Sequence, residues 1–600
     1  MRVADFIFKF LSDRGTETVY MISGGQAMFL VDAVYQNKKL KAICTHHEQA
    51  AGMSADAYGR LTGKLGVALV TAGPGAVNIT NGVVGGWTDS APMMVISGQS
   101  GLSYVQYQQE HSIRQFGIQG INIKPLVEKV TKYFVTVDDP AKILYYMGKA
   151  YYLAMNGRPG PVWIDVPLDI QKMEVPTGLL EEFRPSLEKT TLPVLKEEIR
   201  QVLEMLVKSS RPVILAGQGI RLAGAVNEFT EVVKRLKIPV LTSRLGIDLI
   251  NSDNLLYVGR PGNYGERSAN FAIQNSDLII SIGCRLASAL VGHDPKNFGQ
   301  HAKKIVIDID EEELNKPGLK LDLKIKDDAK RALAQILKST DKIKLPKFSS
   351  WVNQCNYWKK TYPVVLAAYQ DEQLVNSYYF TDKLSDYATK DDMIIVDTGT
   401  CFHVACQVWK IKQGQRFLTT GGLSSMGYWA ACIGGCVANH RRRTVVITGD
   451  GSLQMNIQEL ATIKHNNLPI KIIIFNNNGY LLIRHTQKNF MQGRLFGEGP
   501  DTGVWCPDSL KIAQAYGIKG VRINKVSEVE AKIKEVMEYD GPVVCDVMTP
   551  EWQLIIPRIS SQKLPDGTLV AKPYEDMYPY LSRKEMRKNM VAEAQRRIKE

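Results

Sequence analysis

One pattern, repeated along the whole chain, constrains its fold most: a short β-branched run, a loop of Gly, Asn, Asp or Ser, and an amphipathic segment of helix length. VALVTAGPGAVN and MMVISGQ begin the series, PVILAGQG, DLIISIG and KIVIDID continue it, and IIVDTGT, TVVITGDGS and IKIIIFNNN close it. These runs are apolar at nearly every position, as strands must be when helices cover both faces of a parallel sheet. Irregular stretches at 176–193 and 341–350 divide the 600 residues into blocks 1–180, 190–342 and 355–555, with a basic tail over 556–600. The prediction is an α/β chain of three doubly wound parallel-sheet domains. Its chemistry belongs in the loops after the strands, because ligands of such sheets lie beyond the carboxyl ends.

Apolar residues at 44% and charged residues at 22% supply ordinary globular cores. No uninterrupted apolar run approaches the roughly 18 residues of a membrane span, and MRVADFIFKFLSDRG threads charges between its apolar positions, so neither a span nor a signal peptide is expected. The nine cysteines are odd in number and irregular in spacing, which points to a reducing, cytoplasmic setting and against a zinc site. The net charge of +13 is dense only over 583–599, where a solvated helix face is expected rather than a nucleic-acid or membrane surface.

The stretch TVVITGDGSLQMNIQELATIKHNNLPIKIIIFNNNGY is the most informative. A right-handed crossover makes its two strands parallel neighbours, so the loop Gly449–Asp450–Gly451–Ser452 meets the loop of Asn477 and Gly479. Magnesium takes about six oxygen ligands, usually only one or two of them carboxylates. The Asp450 carboxylate, the Asn477 amide oxygen and the Gly479 carbonyl would supply three, and a helix starting near Ser452 would turn N–H groups toward a phosphate. There is no P-loop lysine, and none follows GPGAVN at 73–78 either.

GDGS followed by NN at this distance resembles the thiamine diphosphate signature, and the resemblance, to acetolactate synthase-like enzymes, extends from about residue 3 to 560. It implies a pyrimidine-binding, a central and a diphosphate-binding domain, in the order of the three blocks. GGLSSMGYWAACIGG resembles the motif whose methionine bends the cofactor, here Met426, and DTGTCFHV resembles the diphosphate loop, with Gly399, Thr400 and, as histidine donor, His403. The cofactor needs one carboxyl beside its pyrimidine ring to become reactive, and AICTHHEQAAGMSADAYGR offers Glu48 between a β-type run and a small-residue helix. The adjacent His46 and His47 are expected to be structural. SGGQA resembles a glycine loop lining the reaction space, with Gly25 beside the reacting carbon, although Ser23 and Gln26 depart from the family pattern. The stretch 100–115 is an insertion relative to the family; counting back from Thr131–Lys132 places the family's active-site glutamine at Gln119, whereas counting forward from Glu48 selects His111.

In the central block Gly217, Gly219, Gly283, Arg285, Asp308 and Asp327 resemble the positions that bind FAD in acetolactate synthases, but Ala287 and Ala289 replace charged residues and leave the flavin open. The family tryptophan on the acceptor side falls at Thr486, and PRISSQKLPDGTLV resembles homologues of surface-sugar pathways. The resemblance therefore implies a magnesium- and thiamine diphosphate-dependent enzyme, a homodimer or homotetramer, that decarboxylates a 2-oxo acid such as pyruvate and joins the fragment to a carbonyl acceptor. Acetolactate formation, carboligation onto a nucleotide-linked keto-sugar, and simple decarboxylation or C–C hydrolysis all stay open. Outside this class stand a dinucleotide oxidoreductase, which lacks its GxGxxG and following acid here, and a silent regulatory homologue, against which Glu48 speaks.

Overall fold

The computed structural model describes residues 1–176, 178, 180–185, 195–341, 343–563, 566 and 569–591. The apolar runs form three six-stranded parallel sheets. In the first, β1 (Thr18–Met21), β2 (Lys41–Cys44), β3 (Gly66–Val70), β4 (Met93–Gln99), β5 (Tyr133–Thr136) and β6 (Pro161–Pro167) lie in the order β2-β1-β3-β4-β6-β5. The second contains β7 (Pro212–Ala216), β8 (Val240–Thr242), β9 (Tyr257–Gly259), β10 (Leu278–Ile282), β11 (Lys303–Asp308) and β12 (Leu323–Lys326), in the order β12-β11-β10-β7-β8-β9. The third contains β13 (Met393–Val396), β14 (Arg416–Thr419), β15 (Thr444–Gly449), β16 (Ile470–Asn476), β17 (Lys519–Ile523) and β18 (Val543–Met548), in the order β14-β13-β15-β16-β18-β17. The strand order switches sides between β1 and β3, β7 and β10, and β13 and β15, and in the first and third sheets the last strand turns back to lie inside β5 or β17. The crevices for ligands open at these points.

By packing, Met1–Glu188, Asp391–Cys401 and Leu418–Glu551 form one compact unit, and Lys189–Lys390, Phe402–Phe417 and Trp552–Glu600 form a second. Most of the first expected connector lies outside the described residues. The helix Ser349–Thr361 begins inside the second and packs on the second sheet, where Trp351 Nε1 donates to the Pro212 carbonyl at 3.0 Å. The basic tail docks on the same unit. Its helix Arg583–Asn589 keeps Lys584 and Lys588 exposed, as expected, but buries Met586 and Asn589, whose Oδ1 accepts from Trp358 Nε1 at 2.9 Å. Residues 592–600 lie outside the described part. Among the described residues no helix is long and apolar enough to cross a membrane, and none of the nine cysteines is bridged.

The first unit is organised around the helix Glu48–Thr62, buried from Ala50 to Leu61 although it contains few large side chains. Small residues let other backbones approach it closely, so dispersion between packed main chains replaces the burial of bulky groups. The helix Cys432–Ala438 lies against it so tightly that a Cβ on Gly434 would stand 2.0 Å from the Ser54 carbonyl oxygen. Both helices share one apolar core with the first and third sheets. Gly434→Ala must therefore push two helices apart, and the expected cost is about 2–3 kcal/mol, measured as a lower urea midpoint; an unchanged midpoint would contradict this packing.

Candidate functional site

In the first unit, the loops after β1, β2 and β3 converge on Glu48. Glu48 is the first residue of its helix, where the N-terminal N–H groups favour a negative charge, and it is only 9% exposed. Asn78 Nδ2 donates to Glu48 Oε2 at 3.0 Å, and Gly75 packs beside Oε1. Gly24 lies against Thr71, where any Cβ would collide, whereas Gly25 faces open space. Gly73 has a φ of 62°, and a Cβ there would stand 2.5 Å from the Gln119 carbonyl oxygen, so Gln119 is brought to the glycine loop that also touches Glu48. His111 instead stacks on Tyr107 at 3.9 Å.

The two histidines preceding Glu48 hold structure. His47 Nδ1 caps the helix by accepting from the Gln49 amide at 3.0 Å, and the His46 amide donates to Glu459 at 3.0 Å. Burial pushes the Glu459 carboxyl up to about 7. A further support of the Gln119 loop escaped the sequence reading. Gln99 Nε2 donates both to the Ile121 carbonyl at 3.0 Å and to Asp165 at 3.1 Å, an acid that burial pushes up to about 7. Asp165 sits inside β6, where nothing in the pattern separates it from a strand-end acid.

At the third sheet, the register of β15 on β16 runs from Thr444 beside Ile470 to Gly449 beside Phe475, so Asp450 and Asn477 emerge next to each other. Asp450 accepts from the Gly451 and Gly479 amides, each at 2.9 Å, and burial pushes its carboxyl up to about 6. Asn477 Oδ1 is buried and has no hydrogen-bond partner among the described residues. Gly479 has a φ of 132° and stands so close to the Glu498 carbonyl that a Cβ would come within 2.1 Å. Arg484 holds this loop from below: it pairs with buried Glu498 at 2.5 Å and donates to the carbonyls of Asn477 at 3.2 Å and Asn478 at 3.0 Å. A buried carboxylate and an orphan amide oxygen thus stand on adjacent strand ends beside the Gly479 turn, a donor set that fits magnesium.

Asp397, at the end of β13, ties these loops together. Buried completely, with its carboxyl pushed up by desolvation, it accepts from Thr448 Oγ1 at 2.8 Å, Ser452 Oγ at 2.6 Å and the Tyr428 amide at 3.1 Å. Ser452 Oγ also accepts from the Gly427 amide at 2.8 Å, so its hydroxyl is engaged in linking loops and its backbone remains the part that can meet a ligand. The expected helix after Ser452 is broken: Asp450–Leu453 is followed by a tight turn at Gln454–Asn456 and a second helix at Glu459–His465. The break frees Asn456 Nδ2 to donate to the Gly427 carbonyl at 2.9 Å. Met426 precedes this anchored point, half-buried. Gly399, with a φ of 80°, and Thr400 open the helix Thr400–Val408, whose residues from Phe402 onward pack in the second unit.

In the second unit the loops after β7 and β10 press backbone on backbone. A Cβ on Gly217 would lie 2.1 Å from the Gly283 carbonyl oxygen, and one on Gly219 would lie 2.7 Å from Gly283 Cα. The Arg285 carbonyl accepts from Lys316, Asp308 accepts from the Asp310 amide at 3.0 Å, and Asp327 is paired with Arg331 at 3.4 Å. These six residues have structural work of their own. Beyond β8, however, Arg244 makes no hydrogen bond or ion pair among the described residues; it faces the Phe402 ring at 4.8 Å, and burial lowers its pKa. His403 stacks on Tyr264 at 4.0 Å with Nδ1 buried and unpartnered, and burial together with the Arg244 charge keeps its pKa well below the ordinary imidazole range. Sequence reasoning missed Arg244, which follows a strand that has no glycine signature.

Residues 1–119, 199–336 and 397–547 match, in order, the N-terminal TPP binding domain, the central domain and the C-terminal TPP binding domain of thiamine pyrophosphate enzymes. The chain belongs to this enzyme family, whose three parts follow the order of the three sheets. Within the family it is similar to acetolactate synthase large subunits. It is 32% identical to that of Cyanidium caldarium over 558 residues, 91% of this chain and 93% of the relative. It is 30% identical to the isozyme 2 large subunit of Escherichia coli K12, with 94% and 99% covered, and 31% identical to the chloroplastic acetolactate synthase 2 of Zea mays, with 93% and 87% covered. It is a thiamine diphosphate enzyme of the carboligase and lyase type, acetolactate synthase-like.

Proposed function

We propose that this enzyme requires magnesium, decarboxylates a 2-oxo acid, with pyruvate as the donor, and joins the acyl fragment to a carbonyl acceptor. The observation that carries the reading is the buried pair of Asp450 and the unpartnered Asn477 Oδ1 on adjacent strand ends. With the Gly479 carbonyl they would hold magnesium. The backbone around Gly399, Thr400, Gly449, Gly451 and Ser452 would cradle the diphosphate, and Met426 would support the bend of the cofactor. Bound thiamine diphosphate supplies the carbon nucleophile and electron acceptor that bond cleavage next to a 2-oxo group demands. Glu48 would hold a proton between its carboxyl and the pyrimidine ring, oriented by Asn78 and by the start of its helix, while Gln119 and Gly25 line the space for the donor.

The acceptor reading rests on Thr486, which is exposed and turns its hydroxyl back to the Leu482 carbonyl at 2.9 Å. A small residue in place of the family tryptophan leaves room for an acceptor larger than an oxo acid, and a nucleotide-linked keto-sugar fits. The names of the relatives favour acetolactate synthase itself as the second reading. FAD is proposed for the second unit, because a half-buried arginine with no counterion among the described residues suits an anionic ligand: Arg244 follows β8 and His403 stacks on Tyr264, which follows β9; His403 is thereby proposed for this site rather than for the diphosphate. A second copy of the chain is proposed to cover Phe496, 81% exposed, and Ile118, 77% exposed, in the first unit. The unbridged cysteines suit a cytoplasmic enzyme.

Glu48→Gln is expected to lower pyruvate turnover by about 10²–10⁴-fold with an unchanged melting temperature, assayed with pyruvate alone and with each class of acceptor; undiminished turnover would remove Glu48 from the chemistry. Magnesium competes with a proton for Asp450, whose carboxyl titrates at about 6 without metal. Magnesium affinity, measured by titration calorimetry across pH, should be flat well above that value and fall about tenfold per pH unit below it; affinity indifferent to pH would exclude Asp450 as a ligand. The purified protein should carry extractable flavin that Arg244→Ala loses, and a colourless protein with no affinity for added FAD would contradict the flavin assignment.

A further inference from the structure

The segment 421–426, which ends in Met426, has Gly422, Leu423 and Ser424 exposed, yet both of its ends are anchored to buried charges of the front part of the same unit. At its start, Asp89 accepts from the Gly421 and Gly422 amides, each at 2.8 Å, and Arg60 donates to the Thr419 carbonyl at 3.0 Å. At its end, the Tyr428 hydroxyl donates to Asp56 at 2.5 Å and accepts from Arg60 at 3.2 Å. Arg60 closes the network by lying 3.5 Å from Asp56 and 3.3 Å from Asp89. All four side chains are buried, with Asp56 at 1%, Arg60 at 4%, Asp89 at 3% and Tyr428 at 2% exposure.

A network of this kind is a poor source of stability, because the desolvation of three charges offsets their attraction. What it does supply is geometry: each charge-assisted bond has one acceptable direction, and a displaced loop would leave a charge buried without a partner. The surrounding shape enforces the same position, since a Cβ on Gly422 would stand 2.5 Å from Thr88 Cβ.

We infer that Asp56, Arg60 and Asp89 are positioning residues for the cofactor: they clamp both ends of the 421–428 loop and thereby set where Met426 stands. This deepens the proposed function and rests on its assignment of Met426 to the bend of thiamine diphosphate. These bonds of the clamp run to Thr419, to the loop and to Tyr428, so the effect proposed here is one that passes through Met426.

The test is a double-mutant cycle on the full chain, with thiamine diphosphate affinity measured by titration calorimetry at saturating magnesium and melting temperature measured alongside. Asp89→Asn and Met426→Ala should each weaken binding by about ten- to a hundredfold, and the double variant should bind no more weakly than the weaker single variant, whether or not the melting temperature falls. Gly422→Ala displaces the loop by pressing a Cβ on Thr88 and on Asp89 Oδ1 while every charge is kept, and it should repeat the pattern, which keeps the test available if Asp89→Asn does not fold. Fully additive losses, or clamp variants that lower the melting temperature without changing cofactor affinity, would overturn the clamp while leaving the cofactor reading intact. A wild type that does not bind thiamine diphosphate would sink that reading, and this inference with it.

Discussion

The close approach of the Glu48–Thr62 helix to its neighbours is the contact on which the first unit depends. A helix built from alanine, glycine and serine has little side-chain area to bury, so it is held by backbones that come nearer than larger residues would permit. The two ends of that one rigid rod serve different tasks. Its first residue presents a carboxylate to the loops after β1 and β3, and its last turns carry the charges that grip the loop of Met426. Displacing the helix would disturb both at once.

Around this frame the structure separates polar groups that have a structural partner from groups that wait for one. Asp397, Asp165 and Glu459 are buried acids shifted upward by desolvation, and each accepts at least two hydrogen bonds that fix a loop. Asn477 Oδ1 and His403 Nδ1 are enclosed without such a partner among the described residues, and half-buried Arg244 makes no hydrogen bond there either. Burying a polar atom without a hydrogen bond costs about 1–3 kcal/mol, so these orphans mark where ligands restore the balance. Asn477 follows the end of β16 and Arg244 the end of β8, while His403 lies in the helix Thr400–Val408.

Much of this was legible in the chain. Continuous apolar runs required parallel sheets, and the Asp450 and Asn477 loops had to meet because two adjacent parallel strands carry them. The supports of those loops were not legible. Arg484 and Glu498 read as ordinary surface charges until the fold brings them under the Asn477 turn, and Asp89 looks like a simple helix end until Gly421 and Gly422 close on it. His403 is a different case: the short helix that begins at Thr400 stacks it on Tyr264, a contact that spacing along the chain does not encode. The docking of the basic tail was hidden because its charge count conceals one buried face, where Met586 packs and Asn589 accepts from Trp358.

The central claim is that a divalent cation joins the strand ends of β15 and β16. Crystals grown with thiamine diphosphate and Mn²⁺ in place of Mg²⁺ would test it most directly, since manganese scatters anomalously and accepts the same oxygen ligands. The account predicts one strong anomalous peak within about 2.3 Å of an Asp450 carboxylate oxygen, Asn477 Oδ1 and the Gly479 carbonyl. A peak elsewhere, or cofactor density with no metal between those three oxygens, would contradict it.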